Sequence, residues 1–307
     1  GENGVDFIMD IEHNNNIKIH QITDTQIENM NNTRTSQRYL EMRNAHFDTP
    51  EYSVYEQCFK YTKNSIEQTN PDIIVLTGDN IYGETDDTGI AFQSLIDYVD
   101  SFGIPWASVY GNHDNESGIG VLAQNKMLIN SKYCIFRPGT VTGNCNYNIA
   151  LRQNGSIKYM LYMGDTNGTR ILREDVGDGI LSSNVDISHV YTAYGIQTDA
   201  KNLIINNMDA LATSNGGAYV PSLMFVHIQT DSSNSNIDST FMSKANSRNL
   251  KGVFFGHMHT RNYSYTYSGT SIYCAYGVKT GTYDESVDSS LGGRLITVNG
   301  STGTMSS

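Results

Sequence analysis

Five short stretches of this chain hold the residue types that bind cations and move protons. They are Asp24, Gly78-Asp79, Gly111-Asn112-His113-Asp114, His227 and Gly256-His257-Met258-His259. Each follows an apolar run, so each would sit where a strand passes into a loop. Carboxylate, amide oxygen and imidazole together suit a pair of metal ions, because a bridging carboxylate needs oxygen and nitrogen ligands from several segments around it. Hydrolysis at a dinuclear metal centre is the chemistry to which these side chains, in this order, point. No stretch is decisive alone.

The elements that must deliver these residues can be read from the apolar pattern. Lys18 to Thr23 reads as a strand ending at Asp24, and Asp72 to Thr77 as a strand buried on both faces, stopped by Gly78. Pro50 to Gln68 has helical spacing, with Tyr52, Tyr55, Phe59 and Ile66 on one stripe. Gly89 to Ser101 predicts a second helix that buries Phe92, Leu95, Ile96 and Val99 and is broken at Gly103, after which Pro105 to Val109 leads into the Gly111 motif. Strand, helix, strand, helix, strand is a βαβ pattern with a parallel or mixed sheet.

Further along, Asn146 to Leu151 and Lys158 to Met163 predict a hairpin around Asn154-Gly155. Asp199 to Leu211 is spaced as a helix. Leu223 to Val226 and Gly252 to Phe255 are buried strands that end at His227 and at Gly256-His257. The tail from Tyr263 to Val298 alternates as antiparallel strands would. His257 and His259 would point to opposite sides of a continuous strand, so both can face one site only if the chain turns at Gly256. The expected architecture is a two-sheet α/β sandwich flanked by helices, with residues 1–307 as a single catalytic domain.

Composition narrows the partners. A formal net charge of −12 argues against nucleic acid or an anionic membrane, and a phosphate substrate would need local cations to attract it. No apolar stretch reaches the roughly 18 residues that span a bilayer. The four cysteines (Cys58, Cys134, Cys145 and Cys274) hold no close pair suited to zinc, while Cys134 and Cys145 read either as a disulfide or as buried thiols.

Asp24, Gly78-Asp79-Asn80, Gly111-Asn112-His113-Asp114, His227 and Gly256-His257-Met258-His259 together resemble the calcineurin-like metallophosphoesterase superfamily. Pro105 to Tyr110 and Val226-His227-Ile228 resemble its purple acid phosphatase-like branch. The resemblance implies a four-layered α/β/β/α sandwich of two mixed sheets. Asp79 would bridge two metals, Asp24 and His259 would bind the first, and Asn112, His227 and His257 the second. His113 would face the substrate phosphate as hydrogen-bond donor or general acid, with Asp114 holding its imidazole and Asn112 also contacting substrate. Metal-activated water would attack phosphorus in line, hydrolysing phosphate monoesters. A divalent-metal phosphodiesterase or nucleotide hydrolase on the same scaffold is the alternative, and a metal-depleted binding module a more distant one.

The superfamily's first motif is Asp-x-His, whereas here it is Asp24-Thr25-Gln26. Three residues after Asp79 stands Tyr82, where purple acid phosphatases place a phenolate on ferric iron. The metals expected are therefore Fe(III) with Fe(II), Zn(II) or Mn(II), Tyr82 being either a ligand or a packing aromatic. Gln26 reads as a hydrogen-bonding neighbour of the ligands. Arg34, Arg38 and Arg43 could clamp an anion or be solvated loop charges, and Tyr263, Tyr265 and Tyr267 could stack on an aromatic leaving group or pack within a strand. Asp165 reads as a turn residue. A small phosphate ester is the expected partner, and a secreted or lysosomal/vacuolar location is expected in preference to a cytoplasmic one.

Overall fold

A computed structural model of the protein describes residues 2–27, 62–83, 88–117, 119–168, 194–281 and 291–307. Two mixed sheets lie at its centre. The smaller has the order β12-β11-β2-β3-β4, formed by Met305–Ser306, Arg294–Val298, Ile17–Ile22, Ile73–Thr77 and Trp106–Val109. The larger has the order β1-β5-β6-β7-β8-β10-β9, formed by Phe7–Ile11, Tyr147–Gln153, Ser156–Met163, Ser222–Phe225, Leu250–Phe255, Tyr273–Tyr276 and Ser264–Thr266.

Strands β2, β3 and β4 run parallel, so Asp24, Asp79 and Asn112, one beyond each, emerge at a common edge. Strands β7 and β8 are parallel as well and deliver His227 and His257 from the other sheet. The hairpin β5–β6 turns at Asn154 and Gly155, with φ of 54° and 76°, values that Asn and Gly accept with little strain.

Alternation along the strands divides the larger sheet's side chains between two cores. Leu223, Phe225 and Phe254 face the smaller sheet, packing with Ile19, Val75 and Ala107. Met224, Val226, Val253 and Phe255 face outward beneath α3 (Thr198–Ser214) and α4 (Ser239–Asn246), against Ile204, Met208 and Phe241. Helix α1 (Ile90–Asp100) buries Phe92, Leu95, Ile96 and Val99, the stripe its spacing predicts, and α2 (Val121–Asn130) lies beside it. Truncating one of these large side chains to Ala costs about 3–5 kcal/mol where the site cannot collapse.

The tail departs from expectation. Strands β9 and β10 join the larger sheet, with β10 parallel to β8, while β11 pairs antiparallel with β2 in the smaller one. Tyr265 and Tyr267 pack on the outer core as strand aromatics do, whereas Tyr263 is exposed. Cys134, Cys145 and Cys274 are free thiols, so the Cys134–Cys145 disulfide alternative does not hold; Tyr110 N–H instead donates to Cys145 Sγ at 3.3 Å. Residues 62–69 are helical, reaching one residue past the end of the first expected helix, whose earlier part lies outside the described residues, as do Arg34, Arg38, Arg43 and Cys58.

Candidate metal centre

The five stretches converge. One ligand atom each from Asp79, His227 and His257 lie within 4.8 Å of one another, and so do those of Asp24, Asp79 and His259. Asp79 belongs to both groups, as a bridging carboxylate must. Asn112 joins the group of Asp79, His227 and His257, since His227 Nε2 donates to its Oδ1 at 3.1 Å.

Backbone turns make this convergence possible. Asp24, Asp79 and His257 all sit at positive φ (50°, 48° and 72°), and the strands before them have ended. For non-glycine residues this conformation is unfavourable by about 1–2 kcal/mol each, so surrounding contacts must hold it. Those contacts are on hand: Asp24 N–H donates to Gly78 O at 3.0 Å, His257 N–H to Asp24 Oδ2 at 3.0 Å and His113 N–H to Asp79 Oδ1 at 3.0 Å. Two glycines let the loops approach. A Cβ on Gly111 would overlap Asp79 Oδ1, and one on Gly256 would overlap Thr23 Oγ1 and Asp24 Oδ2. The turn at Gly256 is what brings His257 and His259 to one site.

The imidazole of His227 is oriented by its own sheet neighbour. Nδ1–H donates to the Thr77 carbonyl at 2.7 Å, which turns Nε2 toward Asp79 Oδ2 at 3.1 Å. Burial opposes charge on this ring, but Asp79 and Asp24 outweigh it and push its pKa up to about 9. Burial, together with the charge of His227, brings His257 down to about 4 and so keeps it a neutral donor. Burial would raise Asp79, yet the charges of His227 and His113 hold it well below the usual carboxylate range. Asp24 is likewise lowered against the cost of burial, by the charge of His227 and by His259 beside it. Asp24 Oδ1 is buried without a hydrogen bond and faces His259 Nε2 at 3.4 Å. A metal ion would satisfy such an atom, and the donor set fits one.

The Asp114 assignment needs correction. Asp114 accepts from Gly111 N–H at 2.7 Å and from Ile81 N–H at 3.1 Å, so its carboxylate holds the loop and not the imidazole. Burial and the charge of Asp79 push its pKa up to about 7. The residue at His113 Nδ1 is Glu116, whose Oε1 lies at 3.0 Å. Asp114–Glu116 is a single 3₁₀ turn, and residues three apart eclipse on such a turn. An acid three residues after the histidine is the signal that sequence reading passed over.

Tyr82 lies beside the same imidazole, its ring nearly parallel to that of His113 at 17° and 6.3 Å between centroids. Gln26 is buried, and its Oε1 accepts from the Nζ of Lys279, a fully buried lysine that no motif marked. Asp165 is buried and accepts from Asn144 N–H at 2.7 Å and Asn167 N–H at 2.8 Å, which makes it the organiser of a turn, as expected.

Two mixed sheets that bring carboxylates and imidazoles together at their strand ends define a metallophosphoesterase fold. The profile described as calcineurin-like phosphoesterase matches residues 17–261, and the chain belongs to that family. Among curated relatives, "Probable inactive purple acid phosphatase 14" of Arabidopsis thaliana is 24% identical over 258 residues, covering 71% of this chain and 62% of the relative. "Probable inactive purple acid phosphatase 28" of Arabidopsis thaliana is 42% identical over 78 residues, 23% of this chain and 19% of the relative. The matches thus span less than two thirds of either relative's length. A dimetal phosphatase from Danio rerio has a similar fold, with a TM-score of 0.53 at 13% identity over 91% of this chain and 92% of its own.

Proposed function

We propose that this chain is a dinuclear-metal phosphatase of the purple acid phosphatase type, hydrolysing phosphate monoesters with Fe(III) beside Fe(II), Zn(II) or Mn(II). The observation that carries this reading is that one buried carboxylate, Asp79, belongs to two ligand groups at once. Bound metal ions would supply Lewis-acid activation of water and neutralise the phosphoryl oxygens. His113, with its Nδ1–H on Glu116, is placed to donate from Nε2 to a phosphoryl or leaving oxygen. The polar atoms of Asn112 and His113 serve the substrate, and a small phosphate ester is the partner this set of side chains suits. Iron rests on Tyr82, the phenol closest in sequence to Asp79.

The word "inactive" in the relatives' names favours a second reading, a binding module on a hydrolase scaffold. Against it stands the full set of Asp24, Asp79, Asn112, His227, His257 and His259 in this chain, brought together by the fold. One sample decides among these. Elemental analysis and a visible spectrum of the native protein should show iron and a broad purple band lost in Tyr82→Phe. Turnover of a chromogenic phosphomonoester should exceed that of its matched diester at acidic pH. A colourless protein with two divalent ions would remove the iron assignment, diester preference would remove the monoesterase, and no turnover with any metal would favour the binding module.

A further inference from the structure

The stretch after β10 is stitched to both loops that carry the first metal's ligands. Lys279 N–H donates to the His259 carbonyl at 3.1 Å, Thr280 N–H to the Thr23 carbonyl at 2.8 Å and Gly281 N–H to the Asp24 carbonyl at 3.2 Å. Thr23 N–H returns a bond to Thr280 Oγ1 at 3.1 Å, and that hydroxyl donates to the Gly292 carbonyl at 2.7 Å. The Lys279 side chain ties the same loops a second time. Its Nζ donates to the Asp24 carbonyl at 3.0 Å and to Gln26 Oε1, and the residue has no exposed surface. Asp24 and Gln26 sit at φ of 50° and 43°, on either side of Thr25, so this loop needs partners to keep its shape. Asp24 follows a strand of the smaller sheet and His259 a strand of the larger one. One buried residue therefore joins two ligands that arrive from different sheets, and it lies beyond residue 261, where the family profile ends. The second metal's ligands have supports of their own, His227 Nδ1 on the Thr77 carbonyl and Asn112 Oδ1 on His227 Nε2.

We propose that Lys279 is a positioning residue for the first metal: it locks the Asp24 loop to the His259 loop, so that both ligands stand in place before an ion arrives. This rests on the dinuclear reading given above and adds to it the residue outside the matched region that assembles one half of the centre. An ammonium suits the position because it has three donors and can meet a carbonyl and an amide oxygen at once. Methionine there would leave the Gln26 oxygen buried without that donor. Preorganisation matters most where ligands come from distant parts of the chain, since a loop left free must be ordered by the ion itself. Lys279 acts through Asp24 and His259 and contributes no atom to the reaction.

The test uses the full chain and two readouts. In the first, metal-free protein is titrated with manganese(II) and followed by calorimetry and electron paramagnetic resonance. The wild type should take up two ions and give a spin-coupled signal. Lys279→Met should keep one ion, with the signal of an isolated Mn(II), and bind the other about 10- to 100-fold more weakly, the range by which outer neighbours of a metal site tune affinity. The second readout is amide hydrogen exchange in the metal-free protein, resolved by NMR. In the wild type, the amides of Lys279, Thr280, Gly281 and His257 should open together as one unit. Lys279→Met should speed exchange there and leave the Val226 amide, which donates to the Phe254 carbonyl, as it was. The wild-type exchange pattern needs no variant, so it decides the matter even if Lys279→Met does not fold: residues 279–281 opening well before the His257 amide would overturn the inference. Lys279→Met that binds two ions as tightly as the wild type would overturn it and leave the dinuclear reading intact. Loss of both ions with faster exchange at Val226 would overturn it too, by making Lys279 a support of the whole fold. A wild type that binds no manganese at any concentration would remove the dinuclear reading itself, and with it the role given to Lys279.

Discussion

Replacing Glu116 by Gln isolates what one carboxylate does for His113. The two are joined at 3.0 Å, with Glu116 3% exposed and the His113 side chain 38% exposed. Burial works against charge on this imidazole, but Asp79 and the Glu116 hydrogen bond outweigh it and push the pKa up to about 10. Gln can accept the same hydrogen bond, so geometry is retained while the charge is lost. A hydrogen bond to a charged group contributes about 1.5–3 kcal/mol and a neutral one about 0.5–1.5, so the exchange removes about 1–1.5 kcal/mol. That corresponds to about one pH unit, and solvent at the exposed part of the ring makes this an upper figure. The alkaline limb of kcat against pH for a phosphomonoester should therefore move down by up to about one unit in Glu116→Gln, with metal content unchanged. Carbon-13 NMR titration of His113 in the metal-free protein should show the same displacement. If both stay where the wild type has them, Glu116 does not support the imidazole charge. Asp114→Asn provides the contrast, because it loosens the loop that carries Asn112 and should lower metal content.

The remaining expectations concern the ligands. His227, with its pKa at about 9, carries a proton at neutral pH that a metal at Nε2 must displace, so manganese binding at pH 7.5 should release about one proton, measured in buffers of different ionisation enthalpy. The sign for stability follows from the same raised value: the metal-free protein keeps the full contribution below the unfolded histidine pKa of about 6.5 and loses it as pH rises through about 9. Its melting temperature should fall over that window, and the metal-loaded protein should fall less. Asn112→Ala should empty the second site more than the first, whereas His113→Ala should retain metal and slow turnover by about 10²–10⁴-fold; elemental analysis beside steady-state rates separates them. Gly111→Ala should displace the Asp79 carboxylate that its Cβ would overlap, and so lose both ions.

Much of this was legible in the chain because the ligands follow strands that can be recognised by their apolar runs. Ile73 to Thr77 and Leu223 to Val226 are buried throughout, and where they end, Asp79 and His227 begin the site. The turn at Gly256 followed from the need for His257 and His259 to share a site. Two kinds of feature escaped. Strand β1 and helix α2 have mixed composition, and tertiary packing decides them. Glu116 and Lys279 escaped for different reasons. Glu116 was masked by the neighbouring Asp114, which has the right chemistry but is held by Gly111 and Ile81. Lys279 reaches Gln26 across 253 residues of sequence, and nothing in the local pattern of either reveals the pairing.

The divided origin of the ligands also bears on the order in which this molecule can be assembled. Asp24 and the His257 amide that binds it are 233 residues apart, and Asp24, Asp79 and Asn112 follow strands of one sheet while His227, His257 and His259 follow strands of the other. Neither sheet alone contains a complete site, so metal cannot serve as a folding nucleus in the way it does for small zinc domains. Such long-range contacts form late, after the cost of closing the intervening loops has been met. Added metal should accordingly leave the refolding rate nearly unchanged and slow unfolding, since it acts on contacts that the transition state has yet to make. The centre then works as a latch between two halves that must first find each other, and its protection is against their coming apart.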